Sequence, residues 1–239
     1  GVLEDPKPEY LVALHVYPEM TVGKVGVRSG LYMASSDEIH LQFIGVGGHG
    51  ALPANCVNPL SMAAEVILNA QKIIDEFHPE GVPTVLSFGR IEGLGSTNVI
   101  PSECTLKGTL RTMDEAWRAE FFERFTRFVN EVATRYGGRV EFERAPGYPF
   151  LKNDPHVTKG VEQSLKLQLG EAHVETLPLR MTAEDFAFYS HKVPVCFFRL
   201  GVGDPEKAMN YGVHHPKFDI HADALRVGVE SMLSIVFNG

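Results

Sequence analysis

A chain of 239 residues is long enough for one large or two small domains with a sizeable core, and at 44% hydrophobic and 22% charged it has the composition of an ordinary globular protein. A formal net charge of −8 without any long basic run argues against nucleic acid as the main partner. No run of about 18 apolar residues offers a helical membrane span, and three scattered cysteines (Cys56, Cys104, Cys196) point to a reducing, cytoplasmic setting without a disulfide framework.

The opening "GVLEDPKPEY" has neither an initiator Met nor a charged-then-apolar leader, and reads as the middle of something longer. "YLVALHVYP" (10–18) is a nearly continuous apolar run stopped by Pro18, as expected of a fully buried strand in a parallel sheet. "DEIHLQFIGV" (37–46) places Ile39, Leu41 and Phe43 on one face of a half-buried strand. "NPLSMAAEVILNAQKIIDEF" (58–77) predicts one helix, with Asn58 as N-cap, Pro59 in the first turn, and Leu60, Ala63, Ile67, Ala70, Ile74 and Phe77 along one face. "PTVLSFGRI" (83–91) and "ECTLKGTLRT" (103–112) are strand-like. A second helix begins at Asp114, buries Trp117, Phe121, Phe125, Phe128 and Val132, and ends at Gly137 and Gly138. "RVEFER" (139–144) is the next strand.

The order strand-helix-strand-strand-helix-strand is that of a ferredoxin-like split βαβ unit, and it occupies roughly 36–147. Beyond Pro149 the texture of the first 35 residues returns. Asp154-Pro155 starts a helix through Leu169, "VPVCFFRLG" (193–201) is an apolar buried strand, and 222–236 is an amphipathic helix. The pattern predicts an α/β domain interrupted by a small α+β domain.

Several constellations can carry chemistry. "GVGGHG" (45–50) matches G-x-G-x-x-G, but a dinucleotide site needs a helix opening on the last glycine, and "ALPANCVNP" intervenes. What remains is a glycine loop with an incidental histidine, or one whose glycines let a ligand come close to His49. His15 stands at the carboxyl end of a strand, where open α/β sheets place their sites, although a lone histidine there also reads as structural. In "YGVHHPKFDIH" (211–221), Gly212 and Pro216 fix a turn around His214, and imidazole is the commonest neutral metal ligand. His215 reads as solvated, and Asp219 as an acceptor for a ligand's other ring nitrogen. "MTAEDFAFY" (181–189) puts Glu184 and Asp185 at the start of a helical turn, as site residues or as partners of the helix dipole. Asn98 and Arg111 taken alone are turn chemistry and surface charge. Two histidines do not make a catalytic metal site, which needs three protein ligands, an open position and a carboxylate base.

"ALHVYPEMTVGKVGVRSGLYMASSDE", "GGHGALP", "TNVIPSECTLKGTLRT", "AEDFAFY" and "VHHPKFDI", in this order and spacing, resemble the aminoacylase/carboxypeptidase-G family of metal-dependent amidohydrolases. The branch most similar holds hippurate hydrolases and auxin-amino-acid amidohydrolases. The resemblance implies a zinc-peptidase-like catalytic domain (1–35 and 148–239) with an inserted ferredoxin-like dimerisation domain (36–147). It implies that His15 and His214 are metal ligands, with His215 standing where the family commonly has Ser. His49 resembles the histidine that reaches into the partner's active site to stabilise the oxyanion. Asn98 and Arg111 match residues that contact substrate, the arginine through a carboxylate, for which a guanidinium fork is suited. The implied cofactor is a pair of divalent ions, zinc being expected and manganese, cobalt or nickel equally suited to such ligands. The implied assembly is a homodimer, and the implied substrate is an N-acyl amino acid or similar small conjugate. The family's remaining ligands, a Cys-Gly-His-Asp stretch and a Glu-Glu pair whose first member is the general base, precede the position of Gly1. The chain is therefore expected to be the C-terminal portion of a longer enzyme, inactive alone. The alternative is a non-catalytic dimerisation and ligand-binding module.

Overall fold

The computed structural model describes residues 1–204, 206–207 and 211–238. In chain order the elements are β1 (Leu11–Thr21), β2 (Val25–Val27), β3 (Gly30–Met33), β4 (Asp37–Ile44), β5 (Gly48–His49), α1 (Pro59–Asn69) and α2 (Gln71–Phe77). There follow β6 (Thr84–Glu92), β7 (Val99–Ile100), β8 (Glu103–Thr112), α3 (Glu115–Arg135), β9 (Arg139–Pro146) and β10 (Leu151–Asn153). The last are α4 (Pro155–Leu169), β11 (Val174–Thr176), α5 (Ala187–Ser190), β12 (Val195–Gly203) and α6 (Asp223–Asn238). They form two compact units, one of Gly1–Met33, Leu151–Arg180 and Asp185–Gly239, the other of Ala34–Phe150 with Met181–Glu184. No helix among the described residues is long and apolar enough to cross a membrane.

The first unit is built on a sheet of order β1-β12-β2-β11. β12 is buried along its whole length, as its sequence, apolar except for Arg199, requires of a central strand. It pairs in parallel with β1, from Leu11 opposite Val195 to Tyr17 opposite Gly201. One face of the pair packs Val12, Leu14, Phe198 and Leu200 in a common core with residues of α4 and α6, and the other packs Phe197 with Tyr32, Met33 and Leu151. α4 opens on Asp154, whose carboxylate accepts the N–H groups of His156 and Val157 at 2.9 and 3.0 Å.

β1 departs from expectation twice. It runs through Pro18 to Thr21, and the missing proline N–H is absorbed where the pairing with β12 shifts, between Tyr17 and Thr21. Leu11–Tyr17 are only half-buried, because β1 is the outermost strand of its sheet.

The second unit carries an antiparallel sheet of order β6-β8-β4-β9. Ile39, Leu41 and Phe43 alternate inward from β4 onto a core shared with α1, α2 and α3. α3 is capped by the Asp114 carboxylate, which accepts the Trp117 N–H at 2.7 Å. Its inner face holds Trp117, Phe121, Phe125 and Val132 as expected, but Val129 is buried where Phe128 was expected, and Phe128 lies on the flank. The segment 58–77 is two helices rather than one. The ladder tightens at Ala70, whose carbonyl accepts the Ile73 N–H at 3.1 Å. Met62, Ala63, Val66, Ala70, Ile73 and Ile74 are buried while Ile67 and Phe77 are exposed. Adjacent apolar pairs at 66–67 and 73–74 make the stripe readable in two rotations, and packing selects one.

Asp37, at the first position of β4, is inaccessible to solvent and meets two arginines. Arg118 of α3 donates from Nε to Oδ2 at 2.6 Å and from Nη2 to Oδ1 at 3.0 Å, and Arg144 of β9 donates from Nε to Oδ1 at 2.8 Å. Arg118 also donates from Nη1 to Glu115 at 2.8 Å. Removing the shared carboxylate leaves the buried Arg118 guanidinium with only the partly exposed Glu115 as counter-ion, so Asp37→Ala should cost about 3–5 kcal/mol. Arg144, with a side chain 32% exposed, is screened by solvent, and Arg144→Met should cost roughly 1 kcal/mol or less. Equilibrium denaturation of the two variants checks the order, and equal losses would mean that the network is not centred on Asp37.

Candidate functional site

His15 lies midway along β1, half-buried, its ring 6.3 Å from that of Phe197. Its Nδ1 is 2.7 Å from the carbonyl oxygen of Val16. A carbonyl can only accept, so Nδ1 carries a proton, and in the neutral ring Nε2 presents a lone pair, the form in which imidazole binds a metal.

The loop carrying His214 is held by backbone bonds from His215 N–H to Gly212 O (2.9 Å), Phe218 N–H to His215 O (2.9 Å) and His221 N–H to Val202 O (3.0 Å). The last ties the loop to the carboxyl end of β12, and Phe218 and Ile220 pack onto the adjoining core. The two neighbouring histidines are in different states. His215 stacks on Tyr211 at 4.2 Å, and its Nδ1 accepts the Lys217 N–H at 3.0 Å. The proton of a neutral His215 is thereby left on Nε2, which is the wrong form for a ligand. His214 is exposed and makes no hydrogen bond, ion pair or ring contact among the described residues.

The remaining candidates bring no metal-holding group together among the described residues. Asp219 turns outward, accepts its own neighbour's N–H from Ile220 at 2.9 Å, and lies 3.6 Å from Lys207. The helical turn expected to open at Glu184 begins at Ala187, after both carboxylates. Burial pushes the Cys196 thiol up to about 12 and raises Cys104 as well, so both are protonated packing groups. Among the described residues no group of three or more His, Cys, Asp or Glu side chains is arranged to hold a metal. The His15 ring and the exposed His214 imidazole are each of a chemistry that suits a divalent ion, and among the described residues no third donor joins them.

In the second unit, β5 and β7 form a two-stranded ribbon, with His49 opposite Val99 and Gly48 opposite Ile100. The ribbon prolongs the β4–β8 pairing, since the Gly45 N–H donates to Ser102 O at 2.8 Å. The Gly50 N–H donates to Asn98 O at 2.8 Å, which brings His49 and Asn98 side by side. Glycine is needed here because backbones touch: a Cβ on Gly47 would stand 2.7 Å from Ile100 O, and one on Gly45 2.0 Å from Val57 O. His49 is exposed, and its Nδ1 accepts the Ala51 N–H at 3.1 Å. In the neutral ring the proton is therefore on Nε2, a donor aimed away from the loop. Asn98 accepts from Ser96 Oγ at 3.1 Å through Oδ1, which leaves its amide N–H groups as donors.

Arg111 is elsewhere. On β8 the inward residues are Cys104, Leu106, Leu110 and Thr112, so Arg111 projects from the opposite face; it is half-buried and has no partner among the described residues. The ribbon leaves β8 at the Glu103 end, and at about 3.4 Å per residue Arg111 lies about 27 Å along the strand from it. The cavity beside the ribbon, bounded by Gly48, Leu94 and Val99, reaches along β8 only as far as Thr105. One copy of this unit thus presents His49 with Asn98 at one place and Arg111 at another.

Residues 1–238 match the peptidase family M20/M25/M40. The N-acetylcysteine deacetylase of Bacillus subtilis is 31% identical over 218 residues, which are 91% of this chain and 55% of that protein. The N-acetyldiaminopimelate deacetylase of Lactobacillus helveticus is 31% identical over 212 residues, 88% of this chain and 55% of its own. The chain thus spans about half the length of these relatives. Among solved structures, a dinuclear metal-binding peptidase of the M20 family, the YxeP protein of Bacillus subtilis, superposes with a TM-score of 0.74 at 25% identity, covering 98% of this chain and 58% of that one.

The glycine contacts predict a local lesion. Gly47→Ala should strain the ribbon by about 1–3 kcal/mol and expose the Gly50 amide to faster hydrogen exchange, with little change in the core amides of β4 and α3. Gly89→Ala, at a position with nothing within 4 Å, serves as the control. Unchanged Gly50 protection in the Gly47 variant would show that the ribbon is not held by this close approach.

Proposed function

The chain belongs to the peptidase family M20/M25/M40, and on that premise we propose that the whole protein is a metal-dependent amidohydrolase that cleaves the amide bond of N-acyl amino acids or similar small conjugates. The observation that carries the reading is the fixed proton of His15, whose Nδ1–H bond to Val16 O leaves a ligand lone pair on Nε2. The two deacetylases similar to the chain are named for N-acetylated amino acids, and the similar peptidase is a dinuclear metal binder.

His15 and His214 would hold the metal with further donors from the rest of the protein, and His215, committed to its own turn, would not. A divalent pair bound there, zinc by expectation, supplies polarisation of the amide carbonyl and a water of lowered pKa. His49 would donate from Nε2–H to the oxyanion of the tetrahedral intermediate, with Asn98 beside it on the same ribbon. Arg111 would take the substrate carboxylate in a bidentate fork. The second unit is then a ferredoxin-like lid and dimerisation domain, a reading supported by its β6-β8-β4-β9 order with helices on one face. The separation of Arg111 from the ribbon favours sites shared between two copies, one giving its arginine and the other its His49 and Asn98. The free, buried thiols of Cys104 and Cys196 support a reducing, cytoplasmic setting.

The whole protein should hydrolyse N-acetyl or N-benzoyl amino acids, and a chelator should abolish the activity. His214→Ala should lower metal affinity by about 10–100-fold or more, whereas His215→Ala should leave it within a few-fold. The 239-residue chain alone should show no turnover. Robust turnover by that chain, or equal metal loss in both variants, would overturn the assignment.

Sharing of sites is tested by mixing two inactive whole-length variants, His49→Ala and His214→Ala. Random exchange makes half of the dimers mixed, each with one site holding both histidines, so activity should return to about a quarter of wild type. No recovery despite demonstrated subunit exchange would show that His49 serves its own subunit or none.

A further inference from the structure

Two arginines of this protein are equally buried, each 5% exposed, and are compensated in opposite ways. Arg118 meets the carboxylates of Asp37 and Glu115. Arg199, in the middle of β12, meets none among the described residues: its Nε donates to Tyr32 Oη at 3.0 Å and its Nη2 to Met33 Sδ at 3.2 Å, and its Cζ lies 5.0 Å from the centre of the Phe197 ring. Burial raises Tyr32 above the ordinary phenol value even against the pull of Arg199, so the oxygen beside the guanidinium is a neutral hydroxyl and not a counter-ion. Arg180 adds a second cation beside the same tyrosine, its Cζ 4.8 Å over the ring of Tyr17, and it too has no carboxylate among the described residues. A guanidinium as deeply buried as that of Arg199 ordinarily meets a carboxylate.

The free donors of Arg199 have a definite shape and place. Tyr32 and Met33 occupy the side of the fork formed by Nε and Nη2, which leaves the end formed by Nη1 and the second Nη2 hydrogen. That end presents two parallel N–H bonds, the match for one carboxylate. Arg199 is the register partner of His15 on the parallel neighbour, so both side chains leave the same face of the sheet about 5 Å apart. On that face Ala13, His15 and Tyr17 are only half-buried, so it is open along β1.

We propose that Arg199, with Arg180 beside it, is a carboxylate-binding site on the His15 face of the sheet. The carboxylate comes either from a substrate that carries an acidic group besides the one read by Arg111, or from an Asp or Glu side chain elsewhere in the whole protein. Only the substrate source rests on the amidohydrolase reading. A site of this kind would orient its carboxylate next to His15, and would make the occupant's charge a condition for a stable core around Tyr32.

The test uses the whole protein, with Arg199→Met, which keeps the bulk and removes the charge, and Arg199→Lys, which keeps the charge and removes the fork. With a substrate source, Arg199→Met should lose about ten-fold or more in kcat/KM for an N-acyl dicarboxylic amino acid and about two-fold or less for an N-acyl monocarboxylic one, with Arg199→Lys intermediate. With a protein source, both substrates should suffer alike and the melting temperature should fall, because the partner carboxylate is left buried and unpaired. A crystal structure of the wild-type protein, with and without the dicarboxylic amino acid product, decides even where the variants do not fold or nothing is hydrolysed. A carboxylate oxygen at about 2.9 Å from Nη1 supports the proposal and identifies the source. Water alone at Nη1 in both crystals, or an Arg199→Met variant with unchanged kinetics and an equal or higher melting temperature, would overturn it.

Discussion

The second unit depends on one carboxylate. Asp37 stands where the chain enters β4, and the two arginines that grip it come from α3 and β9, so helix, first strand and last strand meet at a single anion. The same arginine, Arg118, extends Nη2 toward the carbonyls of Ser36 and Gly147 at 3.4 and 3.5 Å, and Ser36 exchanges backbone bonds with Tyr148 and Gly147 at 2.9 and 2.8 Å. Entry and exit strands are thus fastened side by side, with Asp37 opposite Pro146 in the β4–β9 register. A compact unit that the chain enters at Ala34 and leaves at Phe150, with the other unit on both sides in sequence, needs its two ends close together. Here that need is met by charge and backbone bonds at the ends themselves, while the apolar core forms further along the strands.

From this fixed end the sheet acts as a ruler. β8 carries Arg111 near one end and delivers the chain to the glycine ribbon at the other, so the strand length sets how far apart these groups are. The ribbon is rigid for a reason separate from the core: its glycines let two backbones touch, and its histidine spends one ring nitrogen on the Ala51 amide. His15 and His215 follow the same rule. In each of these three histidines one nitrogen is assigned by a main-chain partner, and the assignment decides whether the other can donate a proton or a lone pair.

Much of the fold was legible because burial and period coincide. The alternation at Ile39, Leu41 and Phe43, the largely apolar run of β12, and the Asp154-Pro155 and Asp114 caps each state their structure locally. The failures occurred where two readings were equally apolar. Val66 and Ile67 permit two rotations of α1, and Pro18 stops a strand only if its missing N–H is needed in the ladder. The states of His214 and His215 were hidden because they depend on Tyr211 and on the Lys217 amide, which a linear motif does not orient. Arg199 was hidden within a segment read as apolar, where one charged letter among hydrophobic neighbours is the signal that could have found it. A complete metal site was never legible in these residues, since among those described no three His, Cys, Asp or Glu side chains come together.

β1 carries a further consequence. It is the outermost strand of its sheet, and from Leu11 to Pro18 it has no Lys, Glu, Asp or Arg. Edge strands are normally guarded by charge, by a bulge or by a covering element, because a row of unsatisfied N–H and C=O groups will template any extended chain that meets it. β1 has only the irregularity after Tyr17, too late to protect the stretch that precedes it. Held apart from whatever lies against that edge, these residues would be colloidally fragile. They would stay in solution at low concentration and associate strand to strand as concentration rises, a failure of handling rather than of folding.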